Sequence, residues 1–293
     1  MENGRKMKDI IVLSDLHLTS NKFDEYRWEW LNKFNDYLKA GKREVRNPQH
    51  LIICGDLTEK KDTHPEVLVT RLTALIKELS ELFKEIIILS GNHDGIVSSK
   101  PFFSFLSLMP KVRFITNPLI EDSIAYLPHT RTPLEDWKHI DFNIVRYVFM
   151  HQTVSTATAA NNYQLTSQLP YNYFDKYAVI RAVFSGDVHK PQELGIITFI
   201  GAPYHVYFGD SYQGRFLILK NFSGNRLYEK LNVVIPSINK WKLKIANVKD
   251  LDKFSICKND QVSIEYTIER SEQHEWVHIR DMIRRYIINA GLS

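Results

Sequence analysis

The sequence predicts an α/β protein in which two β-sheets pack together, followed by a small α+β segment. In the N-terminal third, short apolar runs alternate with segments of helical period, which is typical of βαβ units and a mainly parallel sheet. Beyond Pro101 strand patterns dominate, which favours two packed sheets over one doubly wound sheet. A break near Pro236 then divides the chain into predicted domains at residues 1–235 and 236–293.

The N-terminal part contains predicted strands and helices in alternation. Its first helix carries aromatic residues three or four apart on one side, and its second begins near Pro65 and carries a leucine stripe. The strands of this part are predicted at Ile10–Leu13, Leu51–Cys54 and Ile86–Leu89. Six further strands are predicted at Arg113–Thr116, Ser123–Leu127, Val145–Met150, Val179–Phe184, Ile196–Ile200 and Arg215–Leu219. The C-terminal segment is predicted to hold strands Trp241–Ile245 and Gln261–Ile268 and a helix after Ser271.

Composition excludes several classes of protein. With 293 residues, 44% hydrophobic and 25% charged, the chain is neither disordered nor fibrous. No apolar run reaches the roughly 20 residues of a membrane span, and the polar start lacks a signal peptide, so we expect a cytoplasmic protein with no membrane partner. Two cysteines cannot form a disulfide framework, which fits a reducing compartment. The net charge of +4 is too small to indicate nucleic acid by itself.

Five predicted strands end in residue types that bind metals. The groups are Asp15-Leu16-His17, Gly55-Asp56, Gly91-Asn92-His93-Asp94, His151 and Gly186-Asp187-Val188-His189. Ligands gather beyond the carboxyl ends of strands in open α/β sheets, so we expect these groups to converge. Residues two apart on a regular strand point to the same face, so each Asp-x-His pair could hold one ion together. The glycines suit tight turns where the backbone must come close to other groups.

These groups offer oxygen and imidazole nitrogen without thiolate, which points to manganese, iron or zinc rather than a structural cysteine–zinc site. One aspartate bridging two ions would hold them about 3.5–4 Å apart. Such a pair suits phosphate ester hydrolysis, because it activates water and neutralises phosphoryl charge. A nearby histidine outside the coordination shell would protonate the leaving alkoxide. Each of these motifs, taken alone, is more often structural than catalytic. Five of them, each directly after a predicted strand, together indicate a metal site.

This ordered set resembles the calcineurin-like metallophosphoesterase superfamily, over about residues 8 to 190. The resemblance implies a two-sheet sandwich flanked by helices, with a binuclear centre. It assigns one metal to Asp15, His17, Asp56 and His189, and the other to Asp56, Asn92, His151 and Asp187. It also implies that His93 protonates the leaving group and that Asp94 orients His93.

The last motif departs from the family pattern. The family usually has Gly-His-x-His there, whereas this chain has Asp187 in place of the first histidine. Aspartate binds the same hard or borderline ions, so we expect a working site with an altered metal preference. The expected cofactors are two divalent ions, Mn²⁺ first and Mg²⁺, Fe²⁺ or Zn²⁺ as alternatives.

The stretch after the last motif is similar to SbcD-type DNA repair nuclease subunits, especially the shorter versions of tailed phages. The similarity rests on Lys190-Pro191-Gln192, Gly201-Ala202-Pro203, Phe208-Gly209-Asp210 and Gly214-Arg215-Phe216. It implies exonuclease and single-strand endonuclease activity on DNA, a capping domain beyond Pro236, and an SbcC-type coiled-coil ATPase partner. It is also compatible with a homodimer and, for a phage protein, with the host cytoplasm. Sequence-independent phosphate contacts are then expected at Lys22, Arg27, Arg131 and Lys190.

Two other functions fit the same motifs. A stand-alone phosphodiesterase acting on nucleotides or other small phosphate esters would use the same metal pair. A non-catalytic scaffold could have lost a metal because of Asp187, but it would have no need of Asn92, His93 and His151. The broad apolar stripe from Trp276 to Ile287 leads us to expect a partner contact on the last helix or the neighbouring strands, while most of the stripe is expected to pack on the segment's own strands.

Overall fold

The computed structural model describes residues 8–41, 48–96, 100–222 and 228–292. The first part of the chain forms β1 (Lys8–Leu13), α1 (Glu25–Lys39), β2 (Pro48–Cys54), α2 (Glu66–Leu82), β3 (Glu85–Leu89) and β4 (Val112–Ile115). The middle part forms β5 (Leu119–Glu121), β6 (Ile124–Leu127), α3 (Pro133–Asp136), β7 (Tyr147–His151), β8 (Ala182–Gly186), β9 (Gln192–Leu194), β10 (Ile197–Phe199), β11 (Phe216–Phe222) and β12 (Glu229–Val233). The C-terminal segment forms β13 (Lys240–Ile245), β14 (Gln261–Tyr266) and α4 (Trp276–Asn289).

Two mixed sheets form the body, which confirms the predicted sandwich. Among the residues described, the first sheet has the order β12-β11-β1-β2-β3-β4 and the second has the order β5-β6-β7-β8-β10-β9. Strands β1 to β4 run parallel to one another, as do β6, β7, β8 and β10. The carboxyl ends of β1, β2 and β3 therefore share one edge, and those of β7 and β8 share another.

Every predicted strand is present, with its ends moved by a few residues. Strands β5, β9 and β12 were not predicted, and each lies at the edge of a sheet. Edge strands are short and partly exposed, so they lack the continuous apolar run that marks a buried strand.

Alternation along each strand creates the layers. Ile11 and Leu13 of β1 pack towards α1 and α2, whereas Ile10 and Val12 pack between the two sheets. Successive side chains of a strand point to opposite faces, so one apolar run supplies both cores. The outer face of the second sheet packs against irregular chain, including the buried Trp137 and Phe142.

The C-terminal segment pairs β13 with β14 in parallel and contacts the body through polar groups. Lys240 of β13 is only 6% exposed, and its Nζ lies 3.5 Å from Oδ1 of Asp24 and 3.3 Å from the carbonyl oxygen of Val206. The side-chain amide of Gln261 donates to the carbonyl of Phe23. The division at residue 235 stays a prediction. None of the helices in the described ranges is both long enough and apolar enough to cross a bilayer.

Replacing Asp24 tests the buried contact between this segment and the body. Asp24→Asn leaves the ammonium of Lys240 buried beside a neutral group, so we expect the free energy of unfolding to fall by about 3–5 kcal/mol. Urea denaturation followed by circular dichroism measures it. Glu265→Gln is the matched control, because Glu265 pairs with the exposed Lys244 of β13 at 3.6 Å, and should cost less than about 1 kcal/mol. Equal losses of unfolding free energy in the two variants would contradict the expectation that the buried Asp24–Lys240 pair stabilises the protein more than an exposed pair.

Candidate metal centre

The carboxyl ends of the two sheets meet at a point where only glycine fits. His151 ends β7, and its Nδ1 lies 2.5 Å from the carbonyl oxygen of Cys54 at the end of β2. A Cβ on Gly55 would lie 2.1 Å from the same Nδ1, and a Cβ on Gly186 would lie 2.2 Å from the carbonyl oxygen of Cys54. Residues with side chains at these two positions would push the sheets apart. The glycines thus let ligand-type residues of both sheets share one site.

One half of the site joins residues that follow β1 and β8. Nε2 of His17 lies 3.0 Å from Nε2 of His189 and 3.4 Å from Oδ2 of Asp56. Asp15, His17 and His189 offer ligand atoms that all lie within 4.8 Å of one another. Asp15 and His17 are fully buried. Residues 172 positions apart in the chain therefore face a common point.

The other half joins residues that follow β2, β3, β7 and β8. Nε2 of His151 lies 3.4 Å from Oδ1 of Asp56, 3.7 Å from Oδ1 of Asp187 and 2.9 Å from the side-chain amide of Asn92. The second oxygen of Asp187 accepts from both the backbone N–H and the hydroxyl of Thr153, at 2.7 and 2.5 Å. Asp56 directs one carboxylate oxygen to each half, so it lies between them.

The strand geometry that we expected for the Asp-x-His pairs is wrong. The prediction that both side chains of a pair point to one face assumes a regular strand, but β1 ends at Leu13 and β8 ends at Gly186. Asp15, His17 and Asp187 lie in the following loops with φ of 54°, 44° and 73°. Non-glycine residues adopt positive φ at an energetic cost, and such conformations cluster at functional sites. The loops are held by backbone hydrogen bonds, including one from Asp15 N–H to the Gly55 carbonyl at 3.2 Å.

The buried carboxylates make the site strongly attractive to cations. Burial raises the pKa of Asp15 to about 6, because the charged form is poorly solvated. Burial would also raise the pKa of Asp56, but the imidazoles of His151 and His17 outweigh it and lower that pKa below its usual range. Oxygen and imidazole donors crowded together out of water fit divalent ions of hard or borderline character. The residues present therefore fit the metals that the motifs predict.

His93 lies beside this cluster, and one of its two ring nitrogens is hydrogen-bonded to the backbone. Its Nδ1 is 2.6 Å from the carbonyl oxygen of Glu59, and its ring meets that of His17 edge-on at 4.8 Å. A carbonyl only accepts, so Nδ1 carries a proton and Nε2 is the atom that can exchange one. The backbone N–H of His93 donates to Oδ1 of Asp56 at 2.9 Å, which ties the residue to the centre of the site.

Asp94 does not orient His93, contrary to our expectation. Its carboxylate accepts from the backbone N–H groups of Asp56, Leu57 and Gly91 at 3.0, 2.9 and 2.7 Å. Asp94 thus shapes the loop that carries Asp56, and the carbonyl of Glu59 takes the position next to His93. Burial raises the pKa of Asp94 to about 6.

Glu59 is a site residue that the sequence interpretation missed. Its Oε2 lies 3.1 Å from Nδ1 of His17, without the alignment of a hydrogen bond, and 3.5 Å from the guanidinium of Arg27. Burial would raise the pKa of Glu59, but His17 and Arg27 lower it to about 2, so the side chain is anionic. It stands in a charged loop, which usually indicates a solvated surface. Its position three residues after Asp56 was the available signal.

The four residues predicted to contact phosphates lie in different environments. Lys22 and Arg131 are exposed, and Nζ of Lys190 lies 2.5 Å from Oδ1 of Asn162. Arg27 is only 3% exposed, which corrects the expectation that it contacts DNA. Its guanidinium lies 3.2 Å from Asp24 and donates to the carbonyl of His17, so these groups of the chain already hold it.

The family model for calcineurin-like phosphoesterases matches residues 8–191, which is more than half of the chain. The chain belongs to the calcineurin-like phosphoesterase family. It is thereby a phosphoesterase that depends on divalent metals. No curated protein matches it. Among solved structures it is similar to the Pseudomonas putida nuclease MPE, with 13% identity and a TM-score of 0.35, over 71% of this chain and 84% of that one.

Removing the charge of Glu59 should weaken metal binding by the phosphoesterase. A carboxylate beside a ligand imidazole raises its basicity, so we expect Glu59→Gln to lower the affinity for Mn²⁺ by about 10–100-fold. Isothermal titration of the metal-free protein with Mn²⁺ measures this. Glu85→Gln is the matched control, because Glu85 lies at the same 3.1 Å from Nδ1 of His50, on the side of the sheet away from the ligands' edge. Unchanged affinity in Glu59→Gln would refute the role of Glu59.

Proposed function

We propose that this phosphoesterase is a manganese-dependent DNA nuclease that acts as an exonuclease and single-strand endonuclease with an SbcC-type coiled-coil ATPase. The observation that carries the proposal is the pair of ligand groups joined by Asp56, with His93 beside them and its Nδ1 facing the Glu59 carbonyl. The choice of DNA rests on the resemblance of the stretch after His189 to SbcD-type subunits.

The proposed ligands follow the two halves of the site. Asp15, His17, Asp56 and His189 hold one ion, and Asp56, Asn92, His151 and Asp187 hold the other. Divalent ions there supply a nucleophile at neutral pH and neutralise charge on the phosphoryl group. Thr153 holds one oxygen of Asp187, which leaves the other directed at His151 and the site. Asp187 can thus act as a ligand where the family usually has histidine.

His93 is proposed to protonate the leaving oxygen of the cleaved DNA strand. The Glu59 carbonyl accepts from Nδ1 whether the ring is neutral or charged, so Nε2 delivers the proton. The hydrogen bond from the His93 backbone to Asp56 fixes His93 relative to the residues that would hold the ions. The roles of acid and ligand are therefore divided between His93 and its neighbours.

Three of the predicted cations stay in the proposal as phosphate contacts. Lys22 and Arg131 are exposed, and Lys190 directly follows the ligand His189. Such contacts are independent of sequence and weaken as salt rises. Ile279 and Ile283 of the predicted stripe are buried, at 8% and 9% exposed. The partner is therefore proposed to bind the outer face of α4, where Val277 and Ile288 are 58% and 74% exposed. A homodimer is a further proposal for the same assembly.

A nuclease assay tests the proposal directly. The purified protein, alone and with its ATPase partner, is incubated in Mn²⁺ with labelled linear duplex and single-stranded DNA. We expect degradation of both, and little turnover of cyclic nucleotides or of a chromogenic phosphodiester. Turnover of the small esters without DNA degradation would favour a stand-alone phosphodiesterase. Binding of less than one metal ion per chain with no hydrolysis would favour a scaffold.

Substitutions at His93 and Asp56 should separate acid catalysis from metal binding. His93→Ala should keep its metals and lower the rate of DNA hydrolysis by about 10²–10⁴-fold, the usual worth of a general acid. Asp56→Ala should lose metal as well as activity. His139→Ala, at an exposed histidine, is the control and should match the wild type. Metal analysis measures the metal content of each variant, and single-turnover kinetics measure the rate of DNA hydrolysis. A wild-type rate in His93→Ala would show that another group is the acid.

A further inference from the structure

A cavity of about 340 Å³ opens directly beside the ligand groups, and the proposed roles do not use it. Asp187 and His189 of the site line it together with Tyr207 and Phe208. Its volume lies at the small end of the range for ligand sites, which begins near 300 Å³. The cavity thus joins the reacting centre to two aromatic rings.

Tyr207 is held next to the site by contacts at both of its ends. Its ring stacks on the imidazole of His189, with centroids 5.4 Å apart and planes at 30°. Its hydroxyl lies 3.2 Å from Oε1 of Glu59, and its backbone N–H donates to the carboxylate of Asp210 at 2.9 Å. It is nevertheless 47% exposed. A ring that is both fixed and exposed offers a stacking surface with little conformational entropy left to lose.

Phe208 extends this surface. Nζ of Lys240 lies 4.7 Å from the centre of its ring, and the residue is 41% exposed. Neighbouring Val206 and Tyr207 both donate their backbone N–H groups to Asp210, so the turn that carries the rings is braced. Two adjacent aromatic side chains in this setting offer apolar, planar surface next to the site.

We propose that Tyr207 and Phe208 form a stacking platform for the nucleobase of the nucleotide next to the phosphate that is hydrolysed. This rests on the proposed nuclease function. Every base has a π-face, so such a platform binds single-stranded DNA without reading its sequence. Stacking also positions the strand, because Tyr207 touches the ligand His189 and the base is one sugar away from its phosphate. The platform therefore accepts an unpaired strand end or loop.

The test compares two substrates of equal length in Mn²⁺. One is a single-stranded oligothymidylate, and the other has the same phosphodiester backbone with abasic tetrahydrofuran residues throughout. The measured quantity is the ratio of kcat/KM on the base-containing substrate to kcat/KM on the abasic one. We expect the wild type to prefer the base-containing strand, Tyr207→Ala to lower this ratio by about 5- to 150-fold, and Tyr207→Phe to keep it.

The ratio separates stacking from damage to the metal site. A perturbed metal site lowers hydrolysis of both substrates equally, so an unchanged ratio in Tyr207→Ala overturns the inference even where activity falls. Equal hydrolysis of both substrates by the wild type also overturns it while leaving the nuclease function intact. Hydrolysis of neither substrate by the wild type refutes the nuclease function itself. Tyr171→Ala is the control, because Tyr171 is 45% exposed and lies outside the cavity lining, and should keep the wild-type ratio.

Discussion

The site depends on the close approach of two sheet edges. The imidazole of His151 rests against the carbonyl of Cys54 only because Gly55 and Gly186 have no side chains to separate them. That contact brings β7 of one sheet to β2 of the other, and Asp56 then follows β2 directly into the space between His17 and His151. The hydrophobic core between the sheets fixes their separation, so the packing of the sandwich also sets the ligand distances.

The buried charged groups of the metal centre indicate that this arrangement serves a function and does not only fill the core. Asp15 and Asp56 are buried carboxylates close to each other and to three imidazoles, an arrangement that is costly without a compensating cation. The positive φ values at Asp15, His17 and Asp56 add backbone strain at the same place. A core selected only for stability would use apolar residues here. Membership of the calcineurin-like phosphoesterase family gives the reason for retaining both costs, which is the binding of divalent metals.

Local patterns in the sequence predict the strands, the two-sheet body and the clustering of metal-binding residue types at strand ends. They fail where contacts between distant parts of the chain determine the backbone conformation or the direction of a side chain. Alternation is the only local rule for residues two apart, so it predicts strand geometry for the Asp-x-His pairs. Hydrogen bonds to the β2 loop instead hold Asp15 and His17 in left-handed conformations, and the N–H of the left-handed Asp187 donates to the Asp15 carboxylate. Asp94 follows His93 in the chain, yet its carboxylate turns to the backbone of Asp56 and Leu57. Neither outcome is encoded in the spacing of neighbouring residues.

Arg27 shows how a surface-type residue becomes part of the interior. Its guanidinium reaches the carbonyl of His17 and lies near Glu59, and Asp24 connects it to Lys240 of β13. Removal of the Asp24 carboxylate would leave the buried ammonium of Lys240 without an anionic partner, which costs far more than the loss of a surface ion pair. Groups in one buried network do not respond independently to substitution. One buried set of contacts therefore connects the C-terminal segment to the loop of His17, although β13 carries none of the ligand-type residues of the site.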